Sequence, residues 1–368
     1  MKQTIIIIAL SLTIIALSLA LVYKRQETHS NIFMGGAPVK IVKEPVSRKN
    51  LYSEYESTPI ENVCRISAFQ GDTMIIGTGQ NLFLYDLSNE TKLKTLLHAE
   101  KRGHDNLVWN IGQMTTRTTE GTFLVDVFIL PHALWTLEGD RFFLSDESPV
   151  VEMRRYDDYF PWSKYNTSFA NVTNNGIIAL QDLDDGRKAI WETDNKGVIQ
   201  RSWDIFPIPV LHDDFSLWFL VRPDRRKAVI LMEYFDKIHI LDIDNETSVE
   251  SITITTKSGN RSDHKLLRKN EKKVWEDLPA FYRGACVTEK YIYALYVPVQ
   301  RCMDFFDGNF QAYLRVFDWY GLFLEEYILD KKVTYISVDE SRGILYGITK
   351  DNTIVRYRIF DAIKGDSY

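Results

Sequence analysis

Gln311 to Ile359 reads QAYLRVFDWYGLFLEEYILDKKVTYISVDESRGILYGITKDNTIVRYRI. Leu314, Val316 and Asp318 alternate with Arg315 and Phe317, the period-two pattern of a strand. Asp318-Trp-Tyr-Gly321 reads as a turn, and Leu322–Leu329 as a second strand. Val333–Val338, Ile344–Thr349 and Ile354–Ile359 follow, separated by polar turns at Asp339–Gly343 and Lys350–Asn352. Five short strands with no helix-length segment between them predict an all-β meander.

The unit recurs along the chain. Apolar-x-apolar-x-Asp stands at Leu82–Asp86, Phe142–Asp146, Ile238–Asp242 and Leu314–Asp318, with a degenerate copy at Ile190–Asp194. The Asp spacings are 60, 48, 48 and 76. Val355-x-Tyr357-x-Ile359 is a last copy without the Asp. A repeat of about 40–50 residues built from four strands is a propeller blade. The expected fold is therefore all-β: a six-bladed β-propeller of four-stranded antiparallel blades over residues 38–362, with a tail at 363–368. The strands expected in blade 1 are Ile66–Phe69, Thr73–Gly77, Asn81–Asp86 and Lys92–Leu97. Those expected in blade 2 are Val108–Met114, Thr122–Ile129, Trp135–Leu137 with Phe142–Ser145, and Val150–Arg155.

Ahead of the propeller, Thr4–Tyr23 is a twenty-residue run with no charged side chain, flanked by Lys2 and by Lys24-Arg25. As a helix it spans about 30 Å, the thickness of a bilayer's hydrocarbon core. Residues 1–25 are a signal peptide or an uncleaved signal anchor. The apolar run continues past the small residues where a peptidase could cut, which favours the anchor. The expected partner of this segment is a membrane, with the propeller exported to the periplasm or cell surface. Residues 26–37 form a short polar linker ending in Gly35-Gly36. Val39–Val46, a strand-like run bounded by Pro38 and Pro45, is expected to pair with Ile354–Ile359 and close the ring.

A net charge of −6 argues against a general affinity for nucleic acid. Three cysteines, Cys64, Cys286 and Cys302, are too few for a disulfide framework. Gly77-Thr78-Gly79 is half a dinucleotide fingerprint with no following helix, and reads as a hairpin turn. Asp182-x-Asp184-Asp185-Gly186 lacks the spacing of a calcium loop. Gly-x-Ser-x-Gly, P-loop, His-Glu-x-x-His and Cys-x-x-Cys motifs are all missing. No cofactor or metal is expected. Tyr156–Trp162 is an aromatic-acidic loop. Residues 257–280 carry seven Lys/Arg against four Asp/Glu, a basic insertion with helical periodicity after Asp263.

RPDRRKAVILMEYFDKIHILDID (222–244), YIYALY (291–296) and LRVFDWYG with VDESRGILYGITKDNTIVRY (314–357) resemble the TolB-like six-bladed propeller lipoproteins of the bacterial cell envelope. The resemblance covers roughly residues 60–359 and lacks the family's lipobox Cys. It implies an envelope propeller with no assigned activity. Two functions are then open. One is a non-catalytic propeller that binds a protein, peptide or glycan on one face. The other is a propeller hydrolase or lyase with carboxylates meeting at the central channel. Alignment of the blades places Arg65, Asn110, Phe169, Ser216, Gly284 with its neighbour Arg283, and Tyr335 where the innermost strands begin, as a candidate ligand face.

Overall fold

The computed structural model describes residues 39–41, 45, 47–79, 81–98, 110–130, 133–144, 148–155, 167–172, 176–182, 188–194, 196, 198–206, 217–243, 251–255 and 275–359. Thr4–Tyr23 and Tyr156–Trp162 lie outside them, as does the expected helix after Asp263 up to residue 274; its last part, Trp275–Asp277, is a 3-10 turn. Among the described residues no helix is long and apolar enough to cross a membrane.

Three short strands come first: β1 (Val39–Ile41), β2 (Ser47–Leu51) and β3 (Tyr55–Glu56). Blade 1 follows with β4 (Val63–Gln70), β5 (Thr73–Thr78), β6 (Asn81–Asp86) and β7 (Thr91–His98). Blade 2 holds β8 (Asn110–Thr119), β9 (Thr122–Leu130), β10 (Ala133–Glu138) and β11 (Val150–Arg155). Blade 3 holds β12 (Thr167–Val172), β13 (Gly176–Asp182), β14 (Lys188–Asp194) and β15 (Ile199–Phe206). Blade 4 holds β16 (Leu217–Val221), β17 (Lys227–Met232), β18 (Lys237–Asp242) and β19 (Ser251–Thr255). Blade 5 holds β20 (Ala280–Val287), β21 (Tyr291–Val299), β22 (Tyr313–Asp318) and β23 (Phe323–Leu329), with helix α1 (Cys302–Phe306) between β21 and β22. Blade 6 holds β24 (Val333–Asp339), β25 (Ile344–Thr349) and β26 (Ile354–Arg358). The first strands touch in cyclic order, β4, β8, β12, β16, β20, β24 and back to β4, so they form the inner wall of a closed ring.

The recurrent Asp has a local cause. At the end of a third strand its carboxylate accepts backbone N–H groups of the following turn, which orients the chain into the fourth strand. Asp86 Oδ1 accepts from Ser88 at 2.8 Å. Asp194 Oδ1 accepts from Lys196 at 2.8 Å and Val198 at 3.0 Å. Asp318 Oδ1 accepts from Tyr320 at 2.9 Å and Leu322 at 2.7 Å. In blade 2 the equivalent strand ends at Glu138, and the expected marker Asp146 lies outside the described residues. Phe142–Leu144, the described part of the strand expected at Phe142–Ser145, is not a strand: Phe142 caps a 3-10 turn at Gly139–Arg141. Its ring is fully buried, 5.1 Å from that of Phe69 in blade 1. Packing between blades, rather than alternation along a strand, determines where that ring goes.

The core lies between blades. Ile75, Leu82 and Leu84 of blade 1 pack with Val125, Val127 and Leu137 of blade 2. Val229, Leu231 and Ile238 of blade 4 pack with Ile292, Ala294 and Phe317 of blade 5. Fully burying side chains of this size contributes about 1.5–3 kcal/mol each.

Ring closure differs from the expectation. The fourth strand of blade 6 is β3, not Val39–Val46: Glu56 pairs with Val355 and Tyr55 with Arg356. Glu54 N donates to Arg356 O at 2.8 Å, Ser57 N to Ile354 O at 2.9 Å, and Ile60 N to Asn352 O at 2.8 Å. β1 lies parallel along β19 on blade 4, and β2 parallel along β23 on blade 5. The amino-terminal strap therefore crosses the outer edges of three successive blades before the chain turns inward at β4. The reason is reach: an extended chain advances about 3.3 Å per residue. The segment adjoining β4 must end beside blade 1, which leaves Tyr55–Glu56 against β26 and puts Val39–Ile41 two blades back.

Candidate functional site

The inner wall brings some of the expected ligand-face residues together and disperses others. Arg65, on β4, points across the ring: its guanidinium carbon lies 5.1 Å from the Tyr335 ring and 5.7 Å from the Trp218 ring. Trp218 is on β16, and blade 4 stands opposite blade 1 in a ring of six. One nitrogen of Arg65 also donates to Cys64 O at 2.7 Å. Gln113 of β8 reaches across as well, its Nε2 donating to Phe219 O at 2.9 Å. A cation and two aromatic rings, from blades 1, 4 and 6, thus meet inside the ring. Burial in this setting pushes the Tyr335 hydroxyl up to about 12.

Arg283 turns into the packing of blade 5. It forms an ion pair with buried Glu233, and its guanidinium carbon lies 4.1 Å over the Phe305 ring of α1. Its nitrogen is 3.7 Å from the sulfur of buried Cys302. Asn110 is the first residue of β8 and Phe169 the third of β12. Ser216 lies outside the described residues.

A cleft of about 580 Å³ opens at the opposite rim, where the innermost strands end. That volume falls in the roughly 300–1,000 Å³ range of ligand pockets. Four blades build its wall. The end of β8 supplies Thr116, Arg117 and Thr118, and the β16–β17 turn supplies Pro223. The end of β20 and its turn supply Val287, Thr288, Glu289 and Lys290, and the end of β24 with its turn supplies Val338, Glu340 and Ser341. Each turn follows from local sequence. Arg225 N donates to Arg222 O at 2.7 Å in the Pro223-Asp224 turn. Thr288 Oγ1 accepts from Tyr291 N at 3.1 Å, folding the chain back so that Glu289 and Lys290 are exposed.

The charges of this wall are distributed unequally. Arg117 is held by Asp126, with Nε to Oδ2 at 2.7 Å. Arg222 is held by Asp224, with Nε to Oδ1 at 2.7 Å. Partial burial raises the Glu289 carboxyl above its usual range; Asp224 raises it further, Arg222 opposes, and Glu340 adds to the rise. Glu289 and Glu340 are thus carboxylates in one another's field. Strand reading did not find this cleft, because its residues come from turns of four different blades. The available signal was that Pro223, Glu289 and Glu340 each follow an innermost strand.

Beside the cleft, Trp319 Nε1 donates to Thr288 O at 3.0 Å and ties the β22–β23 turn to the wall. The next residues leave Tyr320 70% and Leu322 49% exposed. Lys227 Nζ lies 4.6 Å over the Tyr320 ring. Among the described residues no group of three or more His, Cys, Asp or Glu could hold a metal ion.

No curated protein matches the sequence. Among solved structures, the β-propeller domain of Cps50 (Swd1) from Myceliophteria thermophila is 11% identical, with a TM-score of 0.49 over 84% of this chain and 99% of that one. A member of the duf4221 family from Bacteroides vulgatus is 10% identical, with a TM-score of 0.49 over 84% of this chain and 97% of that one. No reading of function rests on either. The family profile described as TolB-like 6-blade propeller-like matches residues 160–341. That match falls on blades 3 to 5 and the first strand of blade 6, and over this stretch of the six-bladed ring the chain is similar to the TolB-like 6-blade propeller family.

Proposed function

We propose that this chain is a non-catalytic binding propeller of the cell envelope, anchored by Thr4–Tyr23, that engages a protein, peptide or glycan at the mouth of its ring. The observation that carries the reading is the cleft of about 580 Å³ at the rim where the innermost strands end. Turns from blades 2, 4, 5 and 6 converge there without a shared secondary-structure element, and the cleft walls place Glu289 where burial and neighbouring carboxylates oppose its charge. Unrelieved electrostatics in a concave site are a mark of a binding surface.

Site-specific photo-crosslinking in cells tests this. A photoreactive residue in place of Glu340 should trap an adduct, and one in place of Lys49 on the outer strap should not. The rim where the innermost strands begin is the competing face, and a third probe at Asn110 reports on it. Adducts at Asn110 but not at Glu340 would move the binding face to that rim. Fractionation should recover the full chain with membranes, with the propeller open to external protease once the outer barrier is permeabilised.

A further inference from the structure

We infer that the partner at this mouth is a basic peptide segment with an apolar side chain next to its cationic group. The inference rests on the cleft being the binding face. Three observations lead to it. First, the fixed cations of the wall are already neutralised: Arg117 by Asp126 and Arg222 by Asp224. Glu289 and Glu340 face the opening with Lys290 as the neighbouring cation. With Arg222 and Asp224 paired to one another, Glu340 is left as a second carboxylate acting on Glu289 across the cleft. An incoming ammonium or guanidinium relieves that arrangement, whereas an incoming carboxylate or phosphate aggravates it.

Second, the cleft does not end at its own walls. Trp319 joins the wall at Thr288, and Tyr320 and Leu322 extend from that turn as an exposed apolar shelf. An exposed tyrosine with a leucine two residues beyond it is a docking surface for an aliphatic or aromatic side chain. A ligand spanning cleft and shelf is therefore longer than a single small cation. Third, the wall offers the Thr116 and Thr118 hydroxyls, which can bond to the backbone of an extended segment.

The test is a random peptide library displayed on phage. It is panned against the full-length chain in detergent micelles and, in parallel, against the Glu289→Lys/Glu340→Lys double variant and the Tyr320→Ala variant. Peptides enriched on the wild-type protein should carry an excess of Lys and Arg with an adjacent apolar residue. A synthetic peptide of the enriched sequence should bind at least tenfold more weakly to the double variant. It should also bind more weakly to Tyr320→Ala, and its affinity should fall as salt rises from 50 to 300 mM, roughly as screening predicts. Enrichment of neutral or acidic peptides that the double variant no longer binds would keep the cleft as the binding face and overturn the basic partner. Enrichment that is unchanged on both variants would overturn the cleft itself. Failure of any peptide to enrich on a wild-type protein with an unaltered circular dichroism spectrum would overturn the peptide partner.

Discussion

Arg48, half exposed on the amino-terminal strap, places its guanidinium 2.6 Å from the carboxylate of Glu326, which is buried on β23. Behind Glu326, Arg315 binds the other carboxylate oxygen at 2.8 Å and reaches Asp236 at 3.4 Å. Tyr282 donates to Asp236 at 3.1 Å, and the Arg315 guanidinium lies over the Tyr296 ring at 3.2 Å. The strap thus completes a buried ionic network between blades 4 and 5. Arg48→Ala should cost about 1 kcal/mol, because Glu326 keeps Arg315 and gains water. Glu326→Ala should cost about 3 kcal/mol, because it removes one of the carboxylates that compensate a buried guanidinium. Urea unfolding of the two variants checks the order; Arg48→Ala being the more damaging would contradict it.

Ring closure through β3 separates two truncations. Removing residues 1–46 deletes β1 alone and should lower Tm by a few degrees. Removing residues 1–58 also takes β2 from the edge of blade 5 and strips Tyr55–Glu56 from β26, exposing the Val355–Arg356 edge and breaking the bonds from Glu54 and Ser57. That second truncation should aggregate or melt far lower, since an open apolar edge pairs with other chains. Differential scanning fluorimetry of the pair decides it, and equal Tm values would refute closure by β3.

His239 is fully buried in blade 4, with Nδ1 2.7 Å from Thr253 Oγ1 and Nε2 3.2 Å from Met232 Sδ. Burial first, and Lys237 second, lower its pKa from the usual 6.5 to about 3. Below 6.5 the unfolded chain takes up a proton there that the native protein refuses. Stability should therefore be fully present above pH 6.5 and fall between about 6.5 and 3, by up to about 1.4 kcal/mol per pH unit. Replacement by Gln should flatten this acid limb even if it lowers stability at pH 7. Denaturation midpoints at pH 7, 6, 5 and 4 provide the measurement, and an unaltered slope in His239→Gln would show that other groups govern it.

Arg65 is held by Tyr335 and Trp218, so Arg65→Ala should lose about 1–2 kcal/mol through two partly buried cation–π contacts. Trp218 fluorescence should shift toward the red as water enters the axis. A variant with wild-type stability and emission would place the Arg65 guanidinium elsewhere.

Much of the architecture was legible because its causes are local. Alternation at Leu82, Leu84 and Asp86 marks a third strand, and the same pattern at Ile238 and Leu314 recurs since each blade buries the same faces, with Asp86 and Asp318 capping the turns that follow. Strand bounds in blades 1 and 5 and the sixfold repeat follow from that periodicity and from turn chemistry. Three things followed from the assembled ring instead. Phe142 fits the strand pattern but packs against Phe69 of a neighbouring blade, 73 residues away in sequence. Tyr55–Glu56 has no apolar run to announce it, because a two-residue strand is held by backbone bonds that any side chain permits. The cleft gathers turns from residues 116 to 341, so its shape and the field at Glu289 exist only once the blades have closed into a ring. Hydrophobic periodicity acts between neighbours in sequence and is readable there; convergence of distant turns and the choice of a closing strand depend on contacts made across space.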